Sequence, residues 1–363
     1  MIEILKAGAL ATVQDLGRRG HRHLGVVLGG ATDPLSFAVG NRLVGNAVDA
    51  AGIEFTFGRA TLRFDSPGWI ALTGAECSAT LDGELVPTWW RTAVAAGQTL
   101  QLDGPREGIR TYLTVSGGID VPIVLGSRST DIGAGFGGFE GRALRAGDKL
   151  SVLTDASDLR DAPRRIGIQS PLWSRLASEV TRQAERDENA AVAVGGAGAQ
   201  HPNDAPASPY RADDRTLSVR VMRGPDYADF SPATKQSFWG SGWTITPDSN
   251  RMGYRLDGTR LACDKGGERL SHAVLPGTVQ VPPDGQPILL MCDAQTTGGY
   301  PRIGAVIGAD LWRVAQAAPG TRLRFVECSV AEAISALEEI RQYFRHISLA
   351  LNAPEAHRSI HDK

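Results

Sequence analysis

Gln280-Val281-Pro282-Pro283-Asp284-Gly285-Gln286-Pro287-Ile288-Leu289-Leu290-Met291-Cys292 runs into Asp293-Ala294-Gln295-Thr296-Thr297-Gly298-Gly299-Tyr300-Pro301, and the chain leaves through Arg302-Ile303-Gly304-Ala305-Val306-Ile307. The Pro-Pro-Asp-Gly turn and the short apolar run after it predict a buried strand. A polar corner over Asp293–Tyr300 and a second apolar run over Ile303–Ile307 follow. Backbone amides and hydroxyls at Thr296, Thr297, Gly298 and Gly299 can bind an anion, a carboxylate or an amide without a charged side chain. A tight hairpin whose Thr and Gly residues serve only the turn is the equally open alternative.

The same alternation of apolar runs and turns fills most of the chain. At 363 residues, with 43 glycines and 20 prolines, two lobes built of many short strands are expected in place of a helical bundle. Residues 1–155 read as an N-terminal β-rich lobe, with strands expected at Ala60–Phe64, Trp69–Thr73, Ala79–Leu81, Leu100–Leu102 and Thr111–Val115. Residues 156–215 read as a helix (Pro171–Arg186) plus a linker or insertion. Residues 216–350 read as a second lobe that opens on the alternating run Leu217–Met222, and 351–363 as a polar tail. Asp33-Pro34 starts a helix and Gly45-Asn46 stops it. Ser329–Glu332 is a capping box before an apolar stripe (Ile334, Leu337, Ile340, Phe344, Ile347), expected to cover the second lobe's core.

A net charge of −2 gives no electrostatic case for nucleic acid or an anionic membrane. Cys77, Cys263, Cys292 and Cys328 form no C-x-x-C pair, which suits a reduced, cytoplasmic setting. No apolar run predicts a signal peptide or a membrane span. Gly133–Gly138 lacks the ending of a P-loop and is expected to be a flexible flap. His21 and His23 would align on a strand, but no third metal ligand has suitable spacing. His23–Gly29 and Arg302–Gly308 echo one another, each followed by an aspartate before a helix, which suggests a duplicated hairpin-plus-helix unit.

Arg18, Arg19, Arg128, Arg251 and Arg302 lie in or near the glycine- and hydroxyl-rich corners, where a planar charged fork suits carboxylate or phosphate. Asp15, Asp293 and Gln295 could orient an amide or take a proton. These residues suggest a pocket for a small anionic or amide substrate. Arginines that merely pair with nearby aspartates to hold loops are the equally open alternative.

Gln14–Arg18, Gly30–Ser36, Val44–Asn46, Ser116–Pro122, Leu125–Thr130, Ser249–Leu256 and Asp293–Pro301 together resemble the signatures of the family of 5-oxoprolinase C components, also described as KipA-like, allophanate hydrolase subunit 2 or biotin-dependent carboxyltransferase. The resemblance spans about residues 1–345 apart from the linker. It departs where Thr32 stands for a usual Met, His21 for a usual aromatic, and residues 187–215 form a longer insertion. It implies a mainly β fold with a few helices, two β-rich lobes and cyclophilin-like barrel character. It further implies an ATP-dependent hydrolase that is active only in a heteromeric complex and opens the lactam of 5-oxoproline to glutamate. The implied partners are a KipI-like B component of the 5-oxoprolinase and an A component, ATP being shared with the partner.

The family also leaves two alternatives: a carboxyltransferase component of a biotin-dependent urea or amide carboxylase, and a non-enzymatic antagonist of a KipI-like histidine kinase inhibitor. The expected catalytic residues are Arg251, Asp293 and Gln295, with Arg251 and the Thr296–Gly299 corner stabilising an anion. Asn250, Tyr254, Thr296, Thr297, Gly298, Gly299, Tyr300, Arg128, Asp15 and Arg18 are expected to bind substrate, and no metal is expected.

Overall fold

The computed structural model describes residues 1–153, 166–168, 170–171, 216–264 and 269–352. The expected helix at 171–186, most of the linker and the polar tail lie outside the described residues. Strands β1 (Ile2–Lys6), β2 (Leu10–Gln14), β3 (Gly52–Thr56), β4 (Ala60–Phe64), β5 (Gly68–Leu81) and β6 (Glu84–Leu85) begin an eleven-stranded sheet. It is completed by β7 (Trp90–Val94), β8 (Thr99–Val115), β9 (Ile119–Asp120), β10 (Lys149–Val152) and β11 (Ile166–Gly167). Its buried face carries Ile4, Val13, Ile53, Leu62, Leu72 and Leu113.

Two pairs of expected strands are in fact single long ones. Trp69–Thr73 and Ala79–Leu81 both lie in β5, and Leu100–Leu102 and Thr111–Val115 both lie in β8. The β5–β8 register shifts between Gly74 and Ala79, where bulges break the period-2 pattern without ending the pairing. The apolar residues 24–28 form no strand: Arg22–Leu24 is a single 3-10 turn. Arg302–Val306 is a barrel strand, so the expected internal duplication fails at its first element.

The second lobe is a closed barrel of seven strands: β12 (Thr216–Arg223), β13 (Gly242–Ile245), β14 (Gly253–Asp257) and, after the short β15 (His272–Ala273), β16 (Thr278–Gln280) and β17 (Ile288–Leu290). After β18 (Thr297–Gly298), β19 (Arg302–Val306) and β20 (Arg322–Glu327) close it, β20 running parallel to β12. Closure removes the exposed edges that an open sheet would leave. The barrel is filled by aromatics: Phe238 lies 4.9 Å from Phe325, and Trp243 stacks on Phe325 at 6.3 Å between ring centroids. Strands β17 and β19 do not pair with each other; both pair with β16. The Asp293–Tyr300 corner therefore crosses over a strand, and the simple hairpin alternative is excluded.

Four α-helices are described: α1 (Pro34–Leu43), α2 (Pro232–Gly240), α3 (Leu311–Ala315) and α4 (Val330–Asn352). Asp33 caps α1 by accepting from the Ser36 amide at 2.9 Å, a contact worth about 1 kcal/mol. Ser329 and Glu332 form the expected capping box on α4, with the Ser329 amide donating to Glu332 Oε2 at 2.7 Å. The helix departs from expectation in what it covers. Ala333, Ala336 and Ile340 pack on Ile307 and Cys328 of the second lobe, whereas Tyr343, Phe344 and Ile347 pack beside Val39, Leu43 and Trp69 of the first. Ile334 and Leu337 stay exposed. The helix thus straddles both lobes. Among the described residues no helix is long and apolar enough to cross a membrane.

Candidate functional site

The lobes meet over a buried polar cluster with Arg251 at its centre. Arg251 Nε donates to Asp293 Oδ2 at 2.8 Å and Nη2 to Asp293 Oδ1 at 3.0 Å. Nη1 donates to Thr32 Oγ1 at 2.8 Å and to Glu54 Oε1, and Nη2 also donates to the Gly30 carbonyl at 2.7 Å. These contacts use all five donors of a guanidinium. Arg251, expected to present its fork to an anion, has none to spare: it ties the barrel to the first lobe and holds Asp293 in place.

Glu54, on β3, is absent from the residues expected from sequence, yet it is the hub of this cluster. Its carboxylate accepts from the Thr32 amide at 2.8 Å, the Tyr112 hydroxyl at 2.8 Å and Arg251. Burial pushes its pKa up, but the nearby Arg251 and Arg110 charges and these hydrogen bonds outweigh burial and hold it below the ordinary value. The clue available in the sequence was an acid inside the apolar run Ile53-Glu54-Phe55, since a carboxylate on a buried strand needs a cation. Thr32, the departure from the family pattern, gives its hydroxyl to this network.

A second bridge runs through Gln316. Its Oε1 accepts from the Ile109 and Arg110 amides at 3.1 and 3.0 Å, and its Nε2 donates to Asp33 Oδ2 at 2.8 Å. Tyr254, expected to touch substrate, is buried in the barrel and accepts from Arg110 Nη1 at 2.7 Å. Asn250 is a turn residue whose Oδ1 accepts from the Met252 amide at 2.8 Å.

Around Asp15 the expected residues come together. Its carboxylate accepts from the Gly17 amide at 2.7 Å, the Ser127 hydroxyl at 2.6 Å, and the Arg128 amide and Ser129 hydroxyl at 2.5 Å each. Arg128 itself turns away, with Nε donating to the Val121 carbonyl at 3.0 Å. Arg18 lies beneath Gly133–Gly138: its guanidinium sits 4.6 Å from the Phe136 ring centroid and donates to the Ser129 carbonyl. The expected flexible flap is a folded turn, pinned by Phe136 and Asp131 through an amide–carbonyl bond at 2.9 Å. Burial lowers the Arg18 pKa against the opposing charges of Asp15, Asp131 and Asp293.

The Thr296–Gly299 corner lies at the surface. Thr297 and Gly298 pair with Ala273 and His272 in the two-stranded β15–β18 ribbon. Gln295, Thr297 and Tyr300 are exposed, and the Gln295 carbonyl accepts from Arg22. A Cβ on Gly298 would come within 2.6 Å of Gln280 Nε2, the end of a side chain that would have to shift. The structure therefore joins Arg251 to Asp293, and Asp15 to the Gly17 and Arg128 backbone amides, while Gln295, Thr297 and Tyr300 face solvent.

A cavity of about 1050 Å³ opens beside the cluster, with Gly29, Thr32, Met291 and Cys292 on one side and Trp312 and Phe344 on another. Arg19, Arg42, Arg341 and Arg345 also line it. The Cys292 thiol is pushed up to about 12 by burial, with the Arg251 charge opposing, and is neutral at ordinary pH. Among the described residues no group of three or more His, Cys, Asp or Glu side chains could hold a metal ion.

The family described as carboxyltransferase domain, subdomain A and B, matches residues 24–327. The chain belongs to that family. Within it, the chain is 41% identical over 352 residues to the C component of the Escherichia coli 5-oxoprolinase, covering 97% of this chain and 99% of the relative. It is 31% identical over 342 residues to urea amidolyase of Saccharomyces cerevisiae, covering 90% of this chain but only 17% of that larger relative. The crystal structure of K. lactis urea amidolyase superposes with a TM-score of 0.78 at 27% identity, over 95% of this chain and 20% of that one. The family membership accounts for the pairing of a β-rich first lobe with a closed barrel.

Proposed function

We propose that the chain is the C component of an ATP-dependent 5-oxoprolinase, acting in the cytoplasm with a KipI-like B component and an A component to open the lactam of 5-oxoproline to glutamate. The observation that carries this reading is the end-to-end match to the 5-oxoprolinase C component, 41% identical across 99% of that relative. The geometry supports a site at the junction of the lobes, where Asp293, held by Arg251, orients the substrate amide. Gln295 and the exposed edge at Thr297 and Tyr300 are assigned to the mouth of the site, where a partner can complete it. The four free thiols suit a reducing compartment.

ATP fits poorly on the residues described. The Gly133–Gly138 loop packs its backbone on Arg18 and Thr130, so that a Cβ on Gly137 or Gly138 would lie within 2.0 Å of a side-chain atom. A phosphate cradle needs such a loop to present free amides. ATP is therefore assigned to one of the partners.

The test is ATP hydrolysis by the chain mixed with the A and B components. Stimulation by 5-oxoproline that requires this chain supports the reading; the absence of stimulation would overturn it. The match to urea amidolyase favours one second reading, a carboxyltransferase component. Carboxybiotin-dependent carboxylation of urea or another amide, without 5-oxoproline-dependent hydrolysis, would select it. Biotin has a role only in that reading.

A further inference from the structure

Arg18 is fully buried, yet its Nε and Nη1 have no hydrogen-bond partner among the described residues; only Nη2 is engaged, with the Ser129 carbonyl. One N–H on Nε and two on Nη1 are thus unmet. Buried cations are normally matched by acceptors because desolvation is costly. The nearby Asp15 carboxylate is committed to two hydroxyls and two backbone amides. Arg251, by contrast, is saturated. Arg110 Nε is also without a hydrogen bond, but it faces the Glu54 carboxylate at 3.9 Å; Arg18 has two such nitrogens and no carboxylate in ion-pair contact among the described residues.

Gly29 shows where Nη1 faces. A Cβ placed there would lie 3.6 Å from Arg18 Nη1 and 4.0 Å from Asp293 Oδ1, with no other heavy atom within 4 Å apart from its chain neighbours. The missing side chain thus leaves room for about one methyl group, in ordinary contact with a donor on one side and an acceptor on the other. Gly29 also lines the 1050 Å³ cavity. The backbone on either side is fixed, since the Gly29 amide donates to the Cys292 carbonyl at 3.0 Å and the Arg18 amide to the Leu28 carbonyl at 2.7 Å. Asp293 Oδ1 accepts from Arg251 Nη2 at 3.0 Å and faces the Cys292 thiol at 3.5 Å; a thiol is a weak donor, so an amide N–H can take its place.

We propose that this space is a carbonyl-binding niche, in which Arg18 Nη1 donates to the oxygen of a planar amide, lactam or urea group while an N–H of the same group donates to Asp293 Oδ1. A ring lactam fixes its C=O and N–H on one edge and so meets both demands at once. The inference rests on the amide-substrate reading above and names the residue that recognises the carbonyl. Glycine at position 29 is already favoured by its left-handed backbone, φ +63°; a methyl group there would in addition fill the space between Arg18 and Asp293.

The test is calorimetric binding of 5-oxoproline, urea and acetate to the full chain, alone and in the reconstituted complex, for the wild type, Arg18→Lys and Gly29→Ala. Because Arg18 packs under Phe136 and Gly29 has φ +63°, where alanine strains the backbone, both variants are first checked for folding by circular dichroism and thermal melting; Gly29→Ala leaves Arg18 in place and tests the same space by a second route. Both variants are expected to weaken the amide-type ligands at least ~10-fold, about 1.4 kcal/mol, with little change for acetate. Wild type that binds neither 5-oxoproline nor urea overturns the niche, as does unchanged binding in Gly29→Ala. Loss of acetate binding alone would also overturn it, in favour of a carboxylate anchor. Niche-dependent binding without 5-oxoproline-stimulated ATP hydrolysis leaves the niche standing and rejects the prolinase reading; stimulated hydrolysis with both variants binding normally does the reverse.

Discussion

Arg251 and Asp293 meet edge to edge across the base of the barrel, Nε to Oδ2 at 2.8 Å and Nη2 to Oδ1 at 3.0 Å, while the far side of the same guanidinium reaches Glu54 in the other lobe. One side chain therefore fixes a candidate site residue and the angle between the lobes.

Replacing Arg251 by Leu leaves the buried Glu54 its Thr32 and Tyr112 hydrogen bonds but, among the described residues, only Arg110 at 3.9 Å as a cation, and frees Asp293. Removing one member of a buried pair costs about 3–5 kcal/mol. The expected result is a loss of that order in urea unfolding. A change below about 1 kcal/mol would show that the cluster is solvated in solution.

Gln316 closes two backbone amides of β8 and one carboxylate oxygen of Asp33. Gln316→Ala strands the two amides away from water, at about 1–3 kcal/mol for each unmet group. Thermal melting should fall clearly, with a broadened transition if the lobes then unfold separately. Gln316→Glu should be pH-sensitive, since it sets a second carboxyl beside Asp33.

Asp33 supplies the pH prediction. Burial raises its pKa from 3.8 to about 6, against hydrogen bonds from Gln316 and Ser36 and with help from the Glu54 charge. The folded state thus holds this proton more tightly than the unfolded chain. Its contribution to stability is full below about 3.8 and is lost as pH rises through about 6. The total is roughly 3 kcal/mol. Asp33→Asn keeps a good helix cap and should remove this part of the slope between pH 4 and pH 6, measured as the wild-type-minus-variant difference in unfolding free energy.

Cys292 lines the cavity next to Asp293, which invites a catalytic reading. With its thiol pushed up to about 12, its thiolate fraction at pH 8 is at least ~100-fold below that of a free cysteine. Alkylation of Cys292 in the native protein should be correspondingly slow. Cys292→Ala should retain 5-oxoproline-dependent activity within a few-fold. Abolished activity in a folded variant would contradict the packing role.

Local patterns made much of the fold legible. The alternation at Leu217–Met222 and the Asp33-Pro34 and Ser329–Glu332 caps gave β12, α1 and α4 at nearly their observed places. What stayed hidden depends on partners distant in sequence. Bulges let β5 and β8 pass through stretches that read as turns. The corner at Asp293–Tyr300 looked like a hairpin because nothing local reveals that β16 lies between its flanking strands. At the site, arginines in polar corners could be picked out, but not which of them keeps a donor free. That depends on Glu54, Thr32 and Gly30 closing around Arg251 while the loops over Arg18 leave it unmatched.

The long helix that grips both halves sets an order on how the molecule can be made. Val39 and Leu43 leave the ribosome well before Phe344 and Ile347, the side chains that shield them. Throughout synthesis of the barrel, the first half must carry a greasy, uncovered flank open to chaperones or to another nascent chain. Docking of the helix is then the last seal, and nascent chains stalled before Val330 should be cleaved by protease at α1 far more readily than released ones.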